Sequence, residues 1–394
     1  MFLGAKLNCL RCLRVLFVCL ITLLAGCLRA EEQTIVWPDR RDSGDVEVCA
    51  DYFIYPVTKY PFSLVVWQWR KGTIQKAYEI PCDKEITSAA IFAPNMWVCD
   101  LYAPKHEGEF CVFDTILRKW GYRWKPPKDW HVALGRGSWS GNHVAVWSQP
   151  ENYSFEPRNQ IRFGLVAADG KSLNWAVTIK TDNAPDLAES WKITNDVVPS
   201  NDGRYIGVPG WKRGILMVDV TQKKPKWVAS SEYKPGAEVS AEKSAVSWSR
   251  LPLDELDATD LVFSPDSRLV YVGSSTGLVY GMKTETGEVV NRWWATLSNE
   301  NEPSHYITRV AVSPDGRFVA AGTVPNGLVF LFFTKDGHRY TFKHNRPIGI
   351  DLLSFSPDSK RLAAYAAGEI NIWKLPELDN GKDKRNGKGD SHHN

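Results

Sequence analysis

Leu261-Val262-Phe263-Ser264-Pro265-Asp266-Ser267 recurs as Val310-Ala311-Val312-Ser313-Pro314-Asp315-Gly316 and again as Leu353-Ser354-Phe355-Ser356-Pro357-Asp358-Ser359, at intervals of 49 and 43 residues. Each copy reads as a strand of alternating apolar residues that ends in a tight turn. Pro fixes φ in that turn, and the Asp side chain can bond the backbone ahead of it. A second strand follows, as in Arg317-Phe318-Val319-Ala320-Ala321. A third comes after a glycine, as in Leu278-Val279-Tyr280 after Gly277, Leu328-Val329-Phe330 after Gly327 and Ile370-Asn371-Ile372-Trp373 after Gly368. A charged turn leads to a fourth, Val289-Val290-Asn291-Arg292-Trp293. A repeat of four strands at this period is the signature of a propeller blade.

Weaker copies extend towards the N-terminus. Asn201-Asp202-Gly203 leads into Gly214-Ile215-Leu216-Met217-Val218-Asp219, Ser140-Gly141-Asn142 into Ile161-Arg162-Phe163, and Ala93-Pro94-Asn95 into Phe110-Cys111-Val112-Phe113-Asp114. The most degraded unit spans Val46 to Tyr78. Asp51, Asn95, Asn142, Asp202, Asp266, Asp315 and Asp358 therefore mark seven units. The chain resembles the WD-repeat family of β-propellers in its Ser-Pro-Asp-Gly turns and in Trp373, at the family's tryptophan position. It departs from that family in lacking most Gly-His and Trp-Asp dipeptides: Lys374 follows Trp373, and only Asp114 and Asp219 stand where the aspartate would fall. The resemblance implies an all-β, seven-bladed β-propeller of four-stranded antiparallel blades.

The last unit lacks a fourth strand, while Gln33-Thr34-Ile35-Val36-Trp37 belongs to no blade. The N-terminal strand is expected to complete the last blade and close the ring, leaving no open seam. The expected domain plan is a signal segment over 1–27, one propeller over 33–376 and a polar, disordered tail over 377–394.

Composition narrows the class. The 394 residues are 43% hydrophobic and 24% charged, with net charge +3, which argues against wholesale disorder and against a nucleic-acid binder. Lys6, Arg11 and Arg14 precede an apolar run from Val15 to Gly26, the layout of an export signal too short to span a bilayer. The run ends in Leu24-Ala25-Gly26-Cys27, which resembles the lipobox of bacterial lipoproteins and implies lipidation at Cys27; the rival reading is secretion with cleavage after Ala30. Either places the folded part in the periplasm or on the envelope. Removing residues 1–27 leaves a neutral chain with four cysteines, Cys49, Cys82, Cys99 and Cys111. In an oxidising compartment these are disulfide candidates, Cys99 with Cys111 and Cys49 with Cys82.

Trp67, Trp97, Trp147, Trp227 and Trp373 read as core fillers between blades, and Trp120, Trp124, Trp130, Trp191, Trp211 and Trp248 as tryptophans in or near connections. In a propeller of this kind, the turns between strands one and two and between three and four share a face, and here they are tight. The opposite face carries the long connections, so binding is expected there. Its candidates are Tyr60, Lys105, His106, Trp130, Tyr153, Phe155, Arg158, Trp211, Lys212, Arg213, His305 and Tyr306. Trp211-Lys212-Arg213 leads them, because it joins a flat apolar face to two cations suited to an acidic peptide or glycan.

No catalytic motif appears: there is no GxSxG, Walker loop, GxGxxG or HExxH. The expected function is a monomeric binding module for a protein or envelope glycan, without metal, cofactor or nucleic acid, and touching membrane only through Cys27. The alternative is a propeller hydrolase or lyase acting on a sugar lactone or polysaccharide at the channel mouth.

Overall fold

A computed structural model describes residues 32–36, 47–49, 52–57, 60–93, 96–101, 109–114, 116–125, 130–138, 140, 142–150, 160–180, 197–211, 214–230, 249–252, 256–295 and 306–377. The strand β1 (Glu32–Val36) precedes the blades. Blade one holds β2 (Glu47–Cys49), β3 (Tyr52–Val57), β4 (Ser63–Arg70) and β5 (Thr73–Pro81). Blade two holds β6 (Ile86–Ala93), β7 (Met96–Leu101), β8 (Glu109–Asp114) and β9 (Lys119–Trp124), and blade three β10 (Trp130–Gly137), β11 (Val144–Pro150), β12 (Gln160–Val166) and β13 (Leu173–Lys180). Blade four contains β14 (Val198–Pro199), β15 (Tyr205–Trp211), β16 (Gly214–Asp219), β17 (Lys224–Ser230) and β18 (Ser249–Pro252). Blade five runs through β19 (Ala258–Phe263), β20 (Leu269–Ser274), β21 (Leu278–Lys283) and β22 (Val289–Trp294). Blade six comprises β23 (Tyr306–Val312), β24 (Phe318–Val324), β25 (Leu328–Phe333) and β26 (Arg339–Lys343), and blade seven β27 (Leu352–Phe355), β28 (Arg361–Ala366) and β29 (Glu369–Lys374).

The fold is the seven-bladed, all-β propeller that the repeats imply. β1 pairs antiparallel with β29, Thr34 opposite Asn371, and so supplies the outer strand of blade seven. Thr34 Oγ1 accepts hydrogen bonds from Asn371 Nδ2 at 3.1 Å and Asn345 Nδ2 at 3.0 Å, which fixes the register of this closure. One blade departs from the expected plan: β18 adds to β17 in parallel, giving blade four a fifth strand. Residues 249–252, within the stretch 230–257 read from sequence as a long loop, thus cover the backbone groups of an outer edge.

The Ser-Pro-Asp turn is held by its own side chains. Ser264 Oγ donates to Asp266 Oδ1 at 2.7 Å and accepts from Leu269 N at 2.9 Å, while Asp266 Oδ1 accepts from Arg268 N at 3.1 Å. Ser313 with Asp315, Ser356 with Asp358 and Ser200 with Asp202 repeat the arrangement. The turn's last position is left-handed, at Gly203, Ser267, Gly316 and Ser359. Serine bears that backbone for a reason: Ser267 Oγ accepts Asp202 N and Ser359 Oγ accepts Asp315 N, each at 3.2 Å, linking neighbouring blades.

Packing between blades also repeats. Gly273 on β20 leaves a hole for Ile307 of the next blade; a Cβ there would lie 2.6 Å from Ile307 Cγ2. Gly322 receives Ile350 in the same way. Above each hole a threonine joins two blades: Thr259 Oγ1 meets Ile307 O at 2.7 Å and Gly273 O at 3.1 Å, and Thr308 Oγ1 lies within bonding distance of Ile350 O and Gly322 O. Gly273→Ala should therefore cost about 1–3 kcal/mol by overpacking. Adding Ile307→Ala, which removes Cγ2, should make the double variant lose less than the sum of the two singles, and strictly additive losses in denaturant melts would refute the knob-in-hole account.

Of the tryptophans read as core, Trp97, Trp147, Trp227 and Trp373 are buried and Trp67 is half-buried. Trp120 and Trp124 belong to β9 rather than to a loop, and they pack against Phe113 and Phe110 with ring centroids at 5.1 and 4.6 Å. The disulfide expectation needs correction. Cys99 and Cys111 do face each other across β7 and β8, yet both are free thiols, as is Cys82, so neither proposed pairing is present. Both Cys99 and Cys111 are fully buried, and burial raises the Cys99 thiol well above its ordinary range and the Cys111 thiol to about 11. The thiolate needed for exchange is thereby suppressed.

Candidate functional site

Inner strands of the blades run from the long-loop face to the Ser-Pro-Asp turns, so each blade's first residues stand at the mouth of the channel. Among the described residues, four Asp, Glu, Lys or Arg residues stand on the inner strands: Glu47, Arg136, Asp260 and Arg309. Asp260 and Arg309 occupy the same register on adjacent blades, each just after an irregularity in strand pairing. Asp260 is fully buried. Its carboxylate accepts Arg136 Nη1 at 2.8 Å, Leu261 N at 2.8 Å and Val310 N at 2.7 Å. Arg136 comes from blade three, Asp260 from blade five and Val310 from blade six, so this one carboxylate ties three blades across the short inner strand of blade four. The role is structural: its oxygens are committed to donors of the protein.

Arg309 is held differently. Its Nε donates to Asp351 O at 2.8 Å and its Nη1 to Thr308 O at 3.0 Å, both carbonyl acceptors. Beside it stands Tyr306, 45% exposed, whose phenol is raised by burial and by Asp257 and lowered by Arg309. Asp257 itself accepts from Ser275 Oγ at 2.6 Å. Two connections pack together next to this group. Gly327 lies under the carbonyls of Arg346 and Ile348, and Ile348 is 40% exposed. Arg346 is ion-paired with Glu369.

Of the residues singled out from sequence, Tyr306 stands at the channel mouth on blade six. Tyr60 is 84% exposed in the connection between β3 and β4 of blade one, its ring edge-on to Phe62 at 5.9 Å. Trp211 ends β15 opposite Gly214, the first residue of β16. Trp130 opens β10. The structure does not bring Tyr60 and Tyr306 into contact. Lys105, His106, Tyr153, Phe155, Arg158, Lys212, Arg213 and His305, like Cys27, the 1–27 signal and the 378–394 tail, lie outside the described residues. Arg309 and Ile348 were missed. The signal for Arg309 was there, a cation inside the apolar run Ile307-Thr308-Arg309-Val310; Ile348 had none, being one apolar residue in a connection.

The opposite face is self-satisfied. Burial pushes Asp266, Asp315 and Asp358 upward, but the serine hydroxyl and backbone amides of their own turns, with nearby cations, outweigh it and hold each below the ordinary carboxylate range. Asp114 and Asp219, the two residues at the family's aspartate position, cap the following turns: Asp114 Oδ1 accepts from Ile116 N and Leu117 N, and Asp219 Oδ1 from Gln222 N and Thr221 Oγ1. Among the described residues, no group of three or more His, Cys, Asp or Glu side chains is placed to hold a metal ion.

One carboxyl sits apart. Asp100 on β7 is pushed up to about 7 by burial, against a weaker lowering by Thr87. A carboxyl raised in the folded state stabilises the fold while protonated. That contribution is complete below about pH 4 and is lost as pH rises through about 7. Asp100→Asn should therefore raise stability most at pH 8, by ~1–2 kcal/mol, with the gain shrinking as pH falls and vanishing below about pH 4. Burial lowers His143 and His344, which act in the opposite sense; denaturant melts of the variant across this range isolate the Asp100 part, and an unaltered profile would refute it.

No family model matches the chain. It is 32% identical over 112 residues to the WD repeat-containing protein SL1-17 of Schistosoma mansoni, 28% of this chain and 34% of that protein; the chain thus matches about a third of the length of this curated relative. Among solved structures it is similar to the β-propeller domain of Cps50 (Swd1) from Myceliophteria thermophila, with TM-score 0.57 and 14% identity over 88% of this chain and all of that one. A chain of the mitotic checkpoint complex superposes with TM-score 0.54 and 12% identity over 88% and 92%. These likenesses agree on the propeller fold.

Proposed function

We propose that this protein is a WD-repeat-type interaction scaffold, exported and held at a bacterial envelope through Cys27, that captures a protein or envelope glycan on its long-loop face. The observation that carries the reading is the difference between the two faces. On one, the turn residues are consumed by their own hydrogen bonds and by bonds between blades. On the other, Tyr60 and Tyr306 stand exposed on a rigid frame, where an aromatic ring gains most by being covered.

Photo-crosslinking groups placed at positions 60, 211 and 306 should trap a partner in envelope extracts. The same groups at 169, 268 and 336, in turns of the opposite face, should not. Equal trapping from both faces would overturn the assignment of the surface. The triple change of Trp211, Lys212 and Arg213 to Ala should abolish capture with a nearly unchanged melting temperature; a large stability loss would make those residues structural. Cys27→Ala should release the protein from the membrane fraction, and retention there would refute the lipid anchor.

A further inference from the structure

At one register of the channel wall, blade five carries Asp260 and blade six carries Arg309. The first is neutralised by Arg136. The second is not: the partners of Arg309 are the carbonyls of Asp351 and Thr308, and among the described residues no carboxylate lies within ion-pair distance of it. Asp260, at the same register of the adjacent blade, is engaged by Arg136 and two backbone amides, and Asp257 by Ser275. A guanidinium has five N–H groups in a fixed fork. Two of those of Arg309 are used to fix its orientation, and the rest remain for a guest.

The surroundings suit a peptide. Tyr306 opposite Val324 supplies an exposed ring with a polar tip, and Pro325 and Ile348 continue the apolar surface where the two connections pack. We propose that Arg309 and Tyr306 receive a side-chain carboxylate of an acidic peptide segment entering the channel mouth, with Pro325 and Ile348 as its apolar shelf. The charge selects the occupant: a basic segment would meet an unpaired cation, whereas a carboxylate gains a bidentate partner already held in place. The inference rests on the reading of this face as the binding surface and narrows it to an acidic protein partner.

The test is fluorescence anisotropy of the full propeller with three labelled decapeptides, rich in Glu, Gln or Lys, each containing one Leu. The Glu peptide should bind, weaken with added salt, and exceed the other two. Arg309→Gln should weaken it about tenfold or more, Tyr306→Ala severalfold, and Arg309→Lys less than Arg309→Gln, because the charge remains. Arg268→Gln on the opposite face, where Arg268 is 85% exposed, should change nothing. Melting curves of each variant separate lost binding from lost fold, and the Lys variant carries the test if the Gln variant does not fold. Equal binding of Glu and Gln peptides, indifference to both Arg309 variants, or an equal loss with Arg268→Gln would overturn the proposal. So would inorganic phosphate displacing the peptide with no dependence on its Leu or on Tyr306, since that describes an anion site without a peptide. If the peptides fail but positions 60 and 211 still crosslink a partner, this inference falls and the binding face stands; if both fail, both fall.

Discussion

Asp260→Ala should destabilise the propeller by about 3–5 kcal/mol and lower its melting temperature by about 5–15 °C. The change removes the acceptor of a guanidinium that is itself only 18% exposed and of two backbone amides, one of them in the next blade. What remains is a buried cation and two unsatisfied donors, which is worse than an apolar seam. Replacing both partners tests that logic. Arg136→Met combined with Asp260→Leu, close in volume and free of charge, should recover the part of the loss that comes from burying the guanidinium without its carboxylate, while the amides of Leu261 and Val310 stay without their acceptor. Denaturant and thermal melts of the two singles and the double form the cycle. Additive losses, or a loss below about 1 kcal/mol in Asp260→Ala, would mean that the three blades are not held by this carboxylate.

Deletion of residues 31–38 should have a comparable or larger effect, and of another kind. Without β1, the backbone of β29 becomes an exposed edge, Ile35 no longer packs against blade seven, and Asn345 and Asn371 lose Thr34. The expected outcome is a fall in melting temperature of about 10 °C or more, with concentration-dependent association through the open edge. A synthetic peptide of β1 sequence should restore part of the stability when added in excess, because it replaces a strand rather than a covalent link. A truncated protein that melts like the full chain, or one on which the peptide has no effect, would show that the ring does not depend on this strand.

The repeats made the architecture legible because the turn chemistry is local. Ser264, Pro265 and Asp266 satisfy one another within a few residues, so the motif survives in sequence wherever the turn survives. The final strand was legible by counting, since a three-strand blade and a surplus strand imply each other. β18 was not: a parallel outer strand has no turn joining it to β17, and a segment that merely covers an edge needs no strict alternation. The thiols misled because spacing reports proximity and not chemistry. Cys99 and Cys111 do lie opposite each other, but the core around them suppresses the thiolate. Arg136 and Asp260 illustrate the limit for the site. Each is a single charge in an apolar strand, and only the ring shows that one neutralises the other while Arg309 is left over.

The pairing of β1 with β29 also has a temporal side. These are the first and last strands of the described chain, so the contact that seals the ring joins residues more than three hundred positions apart, as in the bond between Thr34 and Asn371. At about 5–20 residues per second, β1 waits on the order of twenty seconds or longer for its partner to be made. Through that interval the residues of β1 have no β29 to pair with, and the ring has no closure. Non-local contacts of this kind slow folding, so closure of the ring is expected to follow synthesis of the last blade, and a refolding rate slower than that of a ring in which β1 is joined directly after β29 would show it.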